Sequence, residues 1–139
     1  MPRGSLGVRT ITGTTGAAAY ELIAPAGCIL REMLVTLAAA TATTLGLGRP
    51  AAIGVTPTSP VLIPFEYGSG NLQTKTAVAW GTPPTIPASF YRRIGFPATI
   101  GSSINWTFER GLYIPAGGSI ILWNLASNGV LDVSVEVDE

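Results

Sequence analysis

The clearest pattern in the chain lies near its C-terminal end, where Leu131, Val133, Val135 and Val137 alternate with Asp132, Ser134, Glu136 and Asp138. A period of two places the apolar set on one side of a strand, toward a core, and the polar set on the other. Residues 104–109 repeat the pattern, with Ile104, Trp106 and Phe108 inward and Asn105, Thr107 and Glu109 outward. Ser119 to Leu125 is different: Ile121, Trp123 and Leu125 share one face, and Ile120 and Leu122 the other. Such a segment predicts a strand covered on both sides. Further strands are predicted at 17–24, 41–48, 73–80 (with Thr74, Thr76, Val78 and Trp80 on one face), 90–96 and 112–114. Cys28 to Ala40 fits two templates. Leu30, Met33, Leu34 and Leu37 recur at helical spacing, whereas Ile29, Met33, Val35 and Leu37 share a strand face on which Arg31 is the exception. Gly and Pro on both flanks favour the strand.

Pro25-Ala26-Gly27, Gly81 to Pro84, Pro115 to Gly118 and Ser127-Asn128-Gly129 supply turn signals. About eight strands with no strand–helix alternation predict an all-β antiparallel sandwich, and eight strands suit a jelly roll. We place a single sandwich domain at 17–139, preceded by an extended N-terminal arm at 1–16 that is rich in Gly, Thr and Ser. A long irregular loop is expected at 49–72, where Pro50, Pro57, Pro60 and Pro64 cannot donate to a ladder. Long loops carry contacts to other molecules, and Phe65, Glu66 and Tyr67 near its end are candidates for such a contact.

Composition narrows the function. Of 139 residues only 12% are charged, about half the roughly 25% of an ordinary domain. The 8 basic and 8 acidic side chains cancel, so no positive excess exists to neutralise nucleic-acid phosphates. A surface so poor in charge suits a protein partly covered by other chains. The charges are unevenly placed: Arg3 and Arg9 lie in the arm, while Asp132, Glu136, Asp138 and Glu139 crowd the C-terminal end. This distribution predicts that the arm of one subunit approaches the acidic end of a neighbour. Arg92 and Arg93 are adjacent in a strand and must point to opposite faces. One of them is expected to meet a carboxylate, Glu66 or Glu109. The arginines of the N-terminus are not followed by an apolar run, and Met33 to Gly48 is too short and too interrupted by threonines to span a bilayer.

Catalytic chemistry finds little material. There is no histidine, which removes Ser-His-Asp and Cys-His arrangements and His-based metal sites. Cys28 is the only cysteine, so no intrachain disulfide or Cys cluster exists; it reads as a small buried residue opening a strand. Lys75, a conceivable Schiff-base residue, sits among threonines. Glu109 with Asp132 or Glu136 would be a glycosidase-like pair, yet each holds an outward position and reads as solvated charge. Gly46-Leu47-Gly48 lacks the lysine and the following helix of a phosphate loop. Asn105-Trp106-Thr107 matches a glycosylation sequon, a pattern short enough for chance. We therefore expect no enzyme activity, no cofactor and no metal.

Two stretches carry a family resemblance. Ala17 to Pro25 with Leu45 to Gly54, and Ala79 to Pro87 with Trp106 to Ser119, resemble small structural proteins of tailed bacteriophages, and the chain is similar to the jelly-roll cement (decoration) proteins of their capsids. The resemblance implies a virion protein on the outer capsid surface. It would assemble with itself as a homodimer and clamp neighbouring subunits of the major capsid protein, with no nucleic acid or membrane as partner. The family offers no site motif, so the candidate interface residues come from the reading above: Arg3, Arg9, Phe65, Glu66, Tyr67, Arg92, Arg93, Asp138 and Glu139. A receptor- or carbohydrate-binding sandwich of a tail spike or fibre is the alternative, with Tyr67, Trp80 and Tyr91 as sugar-stacking candidates.

Overall fold

The computed structural model describes residues 3–57, 63–64 and 72–139, and every regular element in them is a strand. In chain order these are β1 (Arg3–Ile11), β2 (Ala18–Ala24), β3 (Cys28–Leu37), β4 (Thr43–Gly48), β5 (Val55–Pro57), β6 (Ile63–Pro64), β7 (Lys75–Ala77), β8 (Trp80–Thr82), β9 (Arg92–Phe96), β10 (Ser103–Ile114), β11 (Gly118–Asn124) and β12 (Val130–Asp138). One sheet has the order β10-β3-β12-β1-β6 and the second the order β7-β2-β11-β4-β9, while β5 and β8 form a small pair of their own. All neighbours are antiparallel. The fold is an all-β sandwich.

The pairing is nested. β1 lies against β12, β2 against β11, β3 against β10 and β4 against β9. The chain thus runs out along one side of a long two-stranded ribbon and returns along the other. The ribbon alternates between the two sheets, and the described residues between β4 and β9 lie at its tip. From that tip β6 adds to the edge beside β1, and β7 to the edge beside β2.

Side-chain alternation fixes which faces meet. Leu131, Val133, Val135 and Val137 of β12 are buried in the core with Leu30, Met33, Val35 and Leu37 of β3. Tyr20, Leu22, Leu45, Leu47, Ile120 and Leu122 reach them from the second sheet. The ambiguous segment 28–40 is a strand over Cys28–Leu37, and its phase slips by one residue. Cys28 and Leu30 face inward, Arg31 is extra, and Met33, Val35 and Leu37 resume the inward set. That bulge is what gives the sequence its helix-like spacing.

β11 is apolar on both faces because both are covered, as its pattern predicts. Its outer residues Ile121 and Trp123 pack with Ala18, Trp80, Phe90 and Leu125. Gly46 and Gly48 of β4 lie opposite Trp123 and Ile121. A methyl group on Gly46 would stand 2.8 Å from the Phe90 ring, so the missing side chains make the bed for that ring. Gly54 in the same way lies against the Trp80 indole.

Two expectations need correction. The segment 1–16 is not a free arm: its residues 3–11 are β1, paired with β12 over all nine positions. Gly4 is buried, Leu6 and Val8 pack on the core, and Ser5, Gly7 and Arg9 face out, so the alternation is present but is carried by small residues. The run 73–80 is not one strand either. Its N-terminal part is β7, and after exposed Val78 and Ala79 the chain leaves for β8, which takes Trp80 over the second sheet. Phe65, Glu66 and Tyr67 lie outside the described residues.

Candidate protein interface

The two flanks of the sandwich treat charge differently. On the β1–β12 flank the register sets Arg3 opposite Asp138 and Arg9 opposite Asp132. Arg3 Nε donates to Asp138 Oδ1 at 2.8 Å, and Arg31, displaced toward this end by the bulge, donates through Nε to Asp138 Oδ2 at 2.6 Å. Arg9 grips Asp132 with two hydrogen bonds, at 2.8 and 3.0 Å. Glu139 closes the row: its side-chain carboxylate accepts from the Gln73 and Thr74 amides and from the Thr74 hydroxyl, pinning the approach to β7. The basic N-terminus and acidic C-terminus therefore satisfy each other inside one chain, which replaces the expected reach to a neighbouring subunit.

These contacts shift titrations. Burial works to raise the Asp138 carboxyl, but hydrogen bonds and charge from Arg3 and Arg31 win and hold it below the ordinary range. Glu139 is likewise pushed up by burial and drawn below its ordinary value by the Gln73 and Thr74 donors. Asp132 is lowered chiefly by its hydrogen bond from Arg9. Nearby Cys28 is buried at the start of β3, as the sequence suggests. Burial pushes its thiol up to about 11, which leaves it inert as a nucleophile at neutral pH.

On the β9–β10 flank no arginine forms an ion pair among the described residues, although Glu109 lies on β10 itself. Arg92 and Arg93 do point to opposite sides, and both are exposed. The Arg92 guanidinium lies 5.4 Å from the centre of the Phe108 ring and donates to the Tyr91 carbonyl, while Arg93 lies 5.8 Å from Phe90. Glu109, one of the two expected carboxylate partners, is paired with neither, and Glu66, the other, lies outside the described residues. Arg49 extends from the end of β4 and donates to the Tyr113 carbonyl of β10 at 3.2 Å. Arg110 projects from β10 between those two contacts. Here four residues of β10, Phe108 to Gly111, stand against the single Arg31 of β3 between register positions. Three guanidinium groups thus sit along six residues of one strand, and among the described residues none of them makes an ion pair. Ile100 ahead of β10 and Tyr113 near its end are 65% and 62% exposed. The Phe108 and Phe90 ring faces beside Arg92 and Arg93 hold those two cations out toward solvent.

A second feature escaped the sequence reading. Glu21 stands in the apolar run of β2, is 1% exposed, and faces the tip segment. Its carboxylate accepts from Trp80 Nε1 and from Ser119 Oγ, each at 2.8 Å. Together with Gly54 this ties the β5–β8 layer onto the second sheet. The same carboxylate borders a slot of about 260 Å³ shared with Ile23, Ile53, Lys75 and Ser119. One charged residue in the run 17–24 was the available signal. Trp80 is committed to this anchor and is not a free platform for a sugar ring. Tyr91 remains 41% exposed, and Tyr67 is outside the described residues. On the layer so anchored, Ile53 and Val55 are more than half exposed.

No family model, curated protein or solved structure matches this chain, so its function is argued from its own residues.

Proposed function

We propose that this protein is a non-enzymatic structural component that binds other protein chains through its β9–β10 flank, acting as a cement protein on the outside of a tailed-phage capsid. The observation that carries the reading is the asymmetry of the arginines. Arg3, Arg9 and Arg31 are neutralised within the chain, whereas Arg49, Arg92 and Arg110 line one strand and among the described residues form no ion pair. Partner carboxylates complete that flank. The nested order of β1–β4 and β9–β12 is the order that a rolled ribbon gives, which supports a jelly roll, an architecture common in viral shells and lectins. The exposed apolar residues of the β5–β8 layer supply a second contact area, and repetition over a symmetric shell turns modest contacts into strong attachment. Self-association as a homodimer belongs to the same reading.

The test is made on virions stripped of the protein. Adding it back raises the temperature at which the shell breaks, while adsorption to host cells stays unchanged with or without it. Lost adsorption with unaltered shell stability would instead assign the chain to receptor or carbohydrate binding.

A further inference from the structure

Among the described residues, the sandwich pairs its edges on one flank and leaves them unpaired on the other. Beside β1 and β2 the tip segment adds β6 and β7, which occupy ladder positions that would otherwise face solvent. β10, the longest strand at 12 residues, is paired on one side only, with β3, among the described residues. From Ser103 to Thr107 it is regular and in register, with Ser103, Asn105 and Thr107 exposed. A long regular edge offers a row of backbone donors and acceptors to another strand.

Resting on the reading that this flank binds protein, we propose that β10 takes up an extended acidic segment of the partner as an additional strand of the first sheet. Backbone hydrogen bonds along Ser103–Thr107 give the pairing. Arg92, Arg110 and Arg49 select carboxylates on that segment, and exposed Ile100 and Tyr113 cover its two ends. This is strand addition, in which the ladder supplies affinity and the side chains specificity. The Phe108–Gly111 bulge divides the edge. The ladder runs before it, and beyond it the strand bends and presents Arg110. Gly111 adopts a left-handed conformation (φ 77°), and a methyl group there would strike Ile29, so the bulge admits only glycine at that point.

The experiment uses the isotopically labelled full chain and a synthetic octapeptide of alternating glutamate and threonine. Two further versions of the peptide are N-methylated at one or the other alternate set of amides. The expected result is binding of the parent peptide with slowed amide exchange along 103–107. One methylated version binds comparably and the other at least tenfold more weakly, because a strand uses alternate amides. Equal binding of all three peptides, or slowed exchange elsewhere only, overturns strand addition while leaving the arginine flank as a protein-binding surface. If the peptides fail to bind and double-stranded DNA binds instead, both the strand and the protein-binding reading fall. Arg92→Glu combined with Arg110→Glu should abolish peptide binding while the chain stays folded at the temperature of the assay; retained binding also overturns the proposal.

Discussion

Seven arginines divide between two flanks of one sandwich: three are held by carboxylates of the fold, and four form no ion pair among the described residues. Beside β1 and β12, three of them answer carboxylates that the strand register places across from them or one bulge away. Beside β9 and β10, Arg92 and Arg93 rest on phenyl rings, Arg92 and Arg49 donate to carbonyl oxygens, and among the described residues neither these nor Arg110 forms an ion pair. An ion pair within a chain holds the fold and is closed to others. A cation seated on an aromatic face keeps its hydrogen-bonding fork free. Charge neutrality of the whole chain thus conceals one neutralised flank and one positive flank.

The largest expected effect sharpens this contrast from the open side. On the proposed cement function, Arg92→Glu with Arg110→Glu should weaken attachment to the capsid by about a hundredfold, since it replaces attraction with like-charge repulsion. The melting temperature of the isolated protein should fall by a few degrees at most, because among the described residues neither side chain makes an ion pair and Arg92 gives up only an exposed ring contact and one carbonyl hydrogen bond. Calorimetry and a sedimentation assay on stripped virions read the two quantities. A large loss of stability would mean that these arginines are structural after all.

The closed side should respond in the opposite way. Asp138→Ala removes the carboxylate shared by Arg3 and Arg31, and we expect a cost of about 1–2 kcal/mol. That is less than for a fully buried pair, because both guanidinium groups keep some access to water. Thermal unfolding measures it, and capsid attachment below the new melting point should be unaltered.

Acid provides a graded version of the same test. Asp132, Asp138 and Glu139 are held below their ordinary values in the fold, so the unfolded chain takes up protons first as pH falls. Their contribution is complete above the ordinary carboxylate range and is lost as pH drops through the lowered folded values. Hydrogen exchange followed from neutral pH down should show β1 and the Gln73–Thr74 segment loosening before β9. Simultaneous loosening of both flanks would contradict the assignment. The smallest effect belongs to Arg9→Gln. Its partner Asp132 is well exposed, and such surface pairs contribute little, so no measurable change in melting temperature is expected.

How much of this was legible follows from the physics of each segment. β11 and β12 were readable residue by residue, because burial on one face or two leaves a direct trace in hydrophobicity. Phase slips were not readable. The extra Arg31 in β3 is set by pairing with β12 and β10, and no local rule announces it. β1 was hidden because its inward positions include Gly4 and Thr10, too small and too polar to mark a core face. The pairing of Arg3 with Asp138 spans 135 residues and follows only from the nested ribbon. Glycines at 46 and 48 were seen but their purpose was not, since the ring they accommodate arrives from Phe90, far along the chain. The opposite orientation of Arg92 and Arg93 was deducible from strand geometry alone, whereas their aromatic seats were not.

The most direct measurement is the thermal stability of stripped virions after adding back three proteins: the natural chain, the Arg92→Glu/Arg110→Glu variant, and Arg9→Gln. The account predicts that the natural chain and Arg9→Gln bind and raise the temperature of shell breakage, while the double variant, fully folded, does neither. Shells equally stabilised by the double variant, or by none of the three proteins, would contradict it.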